Sequence, residues 1–464
     1  MRRGFDVYAG AVDISRGETA VNIRAFVDEG LGNSSYVVDL GDRRALVVDP
    51  SRDPRPYLDA ARRNQLEIAF AADTHLHADF LSGSRQLAAG GAQILASARG
   101  DRAFPHRGLH DGEDVDLGGL TLRALATPGH TLEHLSFLLL DGSQPLALFS
   151  GGALLAGAVA RTDLVDPERT EELARYAYRS VRQQILALPD EVPVYPTHGA
   201  GSFCSVPAGA ERTTTIGRER ASSPLLAAPT EDAFVSMLVE GFSSYPTYFQ
   251  HLAEVNRRGP RVFPAWPSLA QLDAGEVRAR LDAGAVAVDV RPIEDYAAGH
   301  IPGALSIALR PAFATWLGWL VDAEHDIVFI AGADQDRDDL VSQALKIGYE
   351  KLAGELTNGM ASWRMAGYSE RRIELVRAVE PSASSLVDVR QTAEFIAGHI
   401  PGAVHVELGS LPTCHHLPDG PLTLMCEHGS RAMTGASVLE RAGHRELSVL
   451  VGGPHESRSV PTIS

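Results

Sequence analysis

The chain has 464 residues, of which 44% are hydrophobic and 22% charged; this is room for about three domains with buried cores, and it excludes a mainly disordered or collagen-like chain. Its 42 Lys and Arg against 59 Asp and Glu leave a net charge of −17, and with no Lys/Arg-rich block to offset it, nucleic acid is excluded as the expected partner. The longest apolar run, Ala147 to Ala160, is broken by Ser150, Gly151 and Gly152 and is too short for a membrane span, Met1–Ser15 lacks the apolar core of a secretory signal, and three cysteines cannot build a disulfide framework, so a cytoplasmic location is expected.

In chain order, SSYVVDLGDRRALVVDP alternates apolar and polar residues as a hairpin of half-buried strands does. Helices are expected at Pro56–Asn64 and Glu168–Ala187. Strands are expected at Ile68–Ala72, Thr121–Ala126, Leu135–Leu140, Leu146–Phe149 and Val192–Val194. Thr230–Arg258 has helical character and closes this unit. Strands with interspersed helices suggest an α/β sandwich over residues 1–260. Beyond it, VDVRPIEDYAAGHIPGAL at Val288–Leu305 reappears as VDVRQTAEFIAGHIPGAV at Val387–Val404, aligning Asp289 with Asp388 and His300 with His399. A match this long marks two copies of one domain, expected at 261–368 and 369–464.

Three strand-end loops of the first unit each carry histidine. Asp73-Thr74-His75-Leu76-His77-Ala78-Asp79-Phe80 offers His75, His77 and Asp79 at alternate positions. Thr127-Pro128-Gly129-His130 and Tyr195-Pro196-Thr197-His198 supply His130 and His198. Neutral imidazole is a good ligand for iron or zinc, and three such loops together point to a metal. Cys204 lies near His198 in sequence, and His134 reads as a support within the sheet.

This order of loops resembles the metallo-β-lactamase fold superfamily, and THLHADFLSG, TPGHTLEHLSF and YPTHGAGSFC look most like persulfide dioxygenases fused to rhodanese domains. The resemblance runs over roughly Val7–Asn256. It implies an αββα sandwich and one non-haem Fe(II), with no nucleotide cofactor. The implied substrates are O₂ and glutathione persulfide or a similar low-molecular-weight persulfide, with sulfite as product. The iron ligands it implies are His75, His130 and a carboxylate after a later strand, the two-His, one-carboxylate set. The sequence departs from the family twice. Phe80 stands where two-metal hydrolases have a further His. At the carboxylate position the chain reads Ser150-Gly151-Gly152, and Gly152 has no side chain to ligate. His77, Asp79 and His198 are then the groups that support the ligands or replace the missing one, and efficient dioxygenase activity is expected to be lost.

In the second repeat, strand Leu422–Met425 leads into Cys426-Glu427-His428-Gly429-Ser430-Arg431 and then a helix over Ala432–Ala442. A cysteine at a helix N-terminus meets unpaired backbone N–H groups and the positive helix end, which favour a thiolate or a persulfide. With VDVR and GHIPGA, this loop resembles rhodanese sulfurtransferases, an α/β fold. The resemblance implies that Cys426 accepts a sulfane sulfur from thiosulfate or a persulfide, with Arg431 as fixed positive charge and Glu427, His428, Gly429 and Ser430 as the rest of the cradle. In the first repeat Ala331 replaces the cysteine and Asp336 the arginine, so that copy is expected to be a spacer, dimerisation surface or docking platform. Asp289, Arg291, His300 and their counterparts Asp388, Arg390 and His399 are read as structural, and Cys414-His415-His416 as a loop.

The reading is thus an enzyme of persulfide metabolism, persulfide dioxygenase-like and coupled to rhodanese transfer through Cys426. The alternatives are a sulfurtransferase on a metal-poor scaffold and, more weakly, a thioester hydrolase resembling glyoxalase II. Expected small-molecule partners are a thiol persulfide, thiosulfate or sulfite. Homo-oligomerisation is the base-rate expectation.

Overall fold

A computed structural model describes residues 11–14, 21–204, 211–378 and 385–453. Residues 1–10 and 454–464, where the expected first and last domains begin and end, lie outside the described residues. The chain divides into two compact units, Met1–Trp266 with Leu345–Gly348, and Pro267–Ala344 with Tyr349–Ser464. No helix among the described residues is long and apolar enough to cross a membrane.

The first unit holds two sheets. Seven strands, Ala11–Ile14, Val21–Asp28, Asn33–Asp39, Arg44–Val48, Glu67–Ala72, Gln93–Ser97 and Arg107–Leu109, lie side by side in chain order. The expected hairpin pairs Asn33–Asp39 with Arg44–Val48. The second sheet runs Thr214–Thr215, Pro193–Pro196, Gln144–Gly151, Leu135–Asp141, Leu120–Ala126, Asp114–Asp116. Side-chain alternation along a strand sorts residues into layers. Leu46 and Val48 join Phe137 and Phe149 in the core between the sheets. Val47, one position away, packs with Tyr57, Ala60 and Ala61 of helix Arg55–Arg63. Leu138 and Leu148 face Ala174, Ala177 and Phe234 of the helices behind the second sheet. This is the expected αββα sandwich.

Two helical expectations need correction. Thr230–Arg258 is two helices, Glu231–Glu240 and Phe249–Arg258, because Gly241 and Pro246 interrupt the backbone ladder. Thr230 caps the first through its hydroxyl, which accepts from the Ala233 N–H at 3.1 Å. The segment expected at Glu168–Ala187 begins with a 3₁₀ turn, Pro167–Arg169, is α-helical over Thr170–Ser180, and loosens to a π turn at Val181–Ile185.

The second unit contains two five-stranded parallel sheets. One runs Gln271–Leu272, Leu352–Leu356, Ile327–Ile330, Val286–Asp289, Leu305–Ser306. The other runs Glu374–Val376, Leu447–Leu450, Leu422–Met425, Ser385–Asp388, Val404–His405. The repeated residues make the same contacts in both. Arg291 and Arg390 each pair with the aspartate two residues earlier at 2.6 Å and donate to the carbonyl of Gly299 or Gly398 at 2.9 or 2.8 Å. His300 stacks on Tyr296 and His399 on Phe395, with ring centroids 3.8 and 3.9 Å apart. These buried charges are paired, as burial demands.

Candidate functional site

The histidine loops converge at the strand ends of the sandwich, and His75, His77, His130, His134, His198, Asp79 and Cys204 are all buried. The hydrogen-bond network assigns the tautomers. Thr74 Oγ1 donates its single proton to Asp49 Oδ2 at 2.8 Å, so it accepts from His75 Nδ1 at 2.8 Å. His130 Nδ1 donates to the Arg161 carbonyl at 2.6 Å. His198 Nδ1 faces two acceptors, Asn33 Oδ1 at 3.0 Å and Asp79 Oδ2 at 3.3 Å, and so carries a proton. In the neutral rings each Nε2 is therefore a bare lone pair. His75 Nε2 and His198 Nε2 lie only 3.4 Å apart. Two lone pairs at that distance repel unless a cation or proton sits between them. Imidazoles anchored through one nitrogen and bare at the other are how proteins present ligands to metals.

Burial disfavours the charged form of His75 and His130. It lowers His75, with the charge of His77 adding to the effect, and pulls His130 down to about 3, helped by His198. His77 goes the other way: burial opposes its charge, but Asp49, 3.1 Å from its Nε2, raises it. For Asp79, burial is outweighed by His198 and the amide of Asn33, whose Nδ2 donates at 2.8 Å, so it stays ionised. Burial raises Cys204 well above the usual thiol range, and Asp79 adds to the shift.

The iron set implied by the resemblance does not fit these residues. Among the described residues, the triads of ligand atoms within 4.8 Å of one another are His75–His77–His198, His130–His198–Cys204 and Asp49–Asp73–His77. None joins His75 and His130 to a carboxylate. Gly152 donates its N–H to His134 Nε2 at 2.9 Å, and a Cβ added to it would come within 2.7 Å of His130 Cδ2. The space a carboxylate stem would need is filled by the His130 ring. Phe80 is buried and stacks on His77 at 4.2 Å between centroids, so it closes the position of a further histidine.

In the second unit, Cys426 is buried at the end of strand Leu422–Met425, and its Sγ accepts the Ala432 N–H at 3.4 Å. Ala432 lies in the first turn of helix Ser430–Arg441, entered through Gly429 at φ +80°. Arg431 turns to Glu394, with contacts of 2.5 and 2.7 Å. Glu427 is 3.9 Å from Arg390, and Cys414 is partly exposed. The corresponding loop of the first copy, Ala331–Asp336, is closed by its own Gln335, which accepts from Gly332 N–H at 2.8 Å and donates to the Val290 carbonyl.

Asp49, Asn33, Thr74 and Glu394 were not singled out from sequence. The first three carry no motif of their own. Glu394 had a signal in the repeat: the first copy has Asp295 and Asp336 where the second has Glu394 and Arg431, an acidic pair where the other has a salt bridge.

The rhodanese-like domain family matches residues 273–366 and 373–456. The mitochondrial persulfide dioxygenase ETHE1 of Homo sapiens is 31% identical over 206 residues, 43% of this chain and 74% of that one. A hydroxyacylglutathione hydrolase of Nitrosococcus oceani is 36% identical over 179 residues, 36% of this chain and 62% of that one. The solved structure of a metallo-beta-lactamase from Staphylococcus aureus subsp. aureus COL is similar with a TM-score of 0.64 at 29% identity, covering 73% of this chain and 99% of that one. With the sandwich, the histidine pocket and the paired parallel sheets, these matches show that the chain belongs to the metallo-β-lactamase-fold persulfide dioxygenases and carries two rhodanese-like domains.

Proposed function

We propose that this protein is an enzyme of persulfide metabolism whose working chemistry is sulfane-sulfur transfer through Cys426. The observation that carries the reading is the Ala432 N–H aimed at Cys426 Sγ from a helix N-terminus. That end favours negative charge on sulfur, both in the thiolate that attacks and in the persulfide that results. The thiolate takes the outer sulfur of thiosulfate, the S–S bond breaks and sulfite leaves with its electron pair. A thiolate acceptor then attacks the Cys426 persulfide and restores the cysteine thiolate. Arg431, neutralised by Glu394, holds the loop in shape.

In the first unit the groups that could hold a metal are His75, His77 and His198, or His130, His198 and Cys204, two sets that share His198. Neither set contains the two-His, one-carboxylate arrangement of a one-iron dioxygenase. With no carboxylate at Gly152, the residues present do not complete an oxygen-activating iron site. Two-metal thioester hydrolysis is disfavoured by Phe80 and Gly152 together.

The test is steady-state sulfur transfer from thiosulfate or glutathione persulfide to a thiol, with metal content measured on the same preparation. Cys426→Ser is expected to lower transfer by about 10³-fold or more with the fold intact. Undiminished transfer in Cys426→Ser contradicts the reading. Stoichiometric iron together with O₂ uptake on a persulfide would restore the dioxygenase as the working chemistry.

A further inference from the structure

The two rhodanese-like copies pack against each other within the second unit, and their contacts follow a register. Glu440 Oε1 accepts the Gly303 N–H at 3.4 Å, and Ser437 Oγ accepts the Ser306 N–H at 3.0 Å. As the first copy's chain advances, its contacts move toward the N-terminus of helix Ser430–Arg441, where the Cys426 loop begins. Beyond Ser306 the backbone continues along the end of the neighbouring strand, with Ile307 N–H bonded to the Asp289 carbonyl and Leu309 N–H to that of Val290. Residues 307–308 lead on from the strand into a bend at 309–310, on the side of the second copy's helix, which spans about 10 Å from Ser437 back to Ser430. Arg310 ends this segment, and its charge and that of Cys426 act on one another. A second contact places the same copy on the loop itself: a Cβ on Gly429 would come 3.0 Å from Ile293 Cδ1.

Arg310 is half-buried, and among the described residues no carboxylate pairs with it. Burial holds its guanidinium below the usual range; the charge of Cys426 works against that shift and the charge of Arg431 with it. Arg431 is already neutralised by Glu394. The uncompensated positive charge by the sulfur loop therefore comes from the copy that has no cysteine.

We propose that the first rhodanese-like copy completes the sulfur-transfer site of the second, Arg310 being the residue that binds the oxyanion end of a sulfur donor such as thiosulfate. The proposal rests on the sulfur-transfer reading of Cys426. When thiosulfate delivers its outer sulfur, negative charge collects on the departing sulfite, and a guanidinium is suited to hold a planar or pyramidal oxyanion through paired N–H donors.

The full chain, Arg310→Ala and Arg310→Lys are compared in two assays. The first is the KM for thiosulfate. The second is the rate of Cys426 alkylation by anionic iodoacetate relative to neutral iodoacetamide, which needs no sulfur transfer at all. Arg310→Ala should raise the thiosulfate KM by roughly 10- to 100-fold and slow alkylation by iodoacetate more than alkylation by iodoacetamide, lowering the ratio of the two. Arg310→Lys should recover part of both. A wild-type protein that transfers sulfur, with KM and alkylation ratio unmoved in Arg310→Ala, overturns the role of Arg310 alone. A wild-type protein that takes no sulfur on Cys426, yet shows the shift in alkylation ratio, overturns the sulfur-transfer reading and leaves an anion site at Arg310.

Discussion

Gly152 leaves no room for a side chain beside the buried ring of His130. A Cβ added to Gly152 would come 2.7 Å from His130 Cδ2 and 3.0 Å from its Cγ. Restoring the acid is therefore not a simple repair. Gly152→Asp is expected to cost about 1–3 kcal/mol of stability in the metal-free protein through overpacking, measured by denaturant unfolding; unchanged stability would show that His130 moves aside freely. At this scale the sequence marked which histidines converge and was silent about their protonation. His75, His130 and His198 stand in recognisable loops. Their bare Nε2 atoms depend on Asn33, Asp49 and the Arg161 carbonyl, which are remote in sequence or in the backbone, and on Thr74, whose role follows from its bond to the remote Asp49.

The loop from Cys426 into helix Ser430–Arg441 turns at Gly429 in the left-handed region, φ +80°, with Ile293 Cδ1 at 3.0 Å from an added Cβ. Gly429→Ala should cost about 1–2 kcal/mol from the backbone alone and slow sulfur loading, because Ala432 N–H would no longer be held on Sγ. Melting temperature and loading rate check the two parts, and a variant equal to wild type in both contradicts the role given to this turn. Strands and helices were largely legible from alternation and turn residues. The failures have local causes: Gly241 and Pro246 break one expected helix, and the expected Glu168–Ala187 helix changes type at both ends. The repeat made the second unit legible twice over, since the Asp–Arg clamp and the stacked histidine recur at matching positions.

Across the molecule, burying neutral imidazoles makes stability depend on pH. His130 sits at about 3, and His75 and His134 are lowered in the same direction by burial and by the charges of neighbouring histidines. Unfolded imidazoles titrate near 6.5. Between those values the unfolded chain binds more protons than the folded one, so the metal-free protein loses stability as pH falls below about 6.5. His130 alone contributes about 2 kcal/mol of loss at pH 5 relative to pH 7; His77, raised by Asp49, offsets part of it. Denaturant midpoints across pH 7 to pH 5 measure the slope, and a flat profile contradicts neutral burial. At this scale the tandem arrangement was readable from the repeat, whereas the packing of one copy's Gly303 and Ser306 on the other's helix was not, because backbone N–H donors leave no sequence signal.

The central claim is that sulfur passes through Cys426. Its most direct test is peptide mass mapping of the full chain after anaerobic incubation with thiosulfate or glutathione persulfide, beside Cys426→Ser. The account predicts one added sulfur atom on the Cys426 peptide, removed by excess thiol acceptor and absent in the variant. Added sulfur confined to the Cys204 or Cys414 peptides, or none on Cys426, would contradict it.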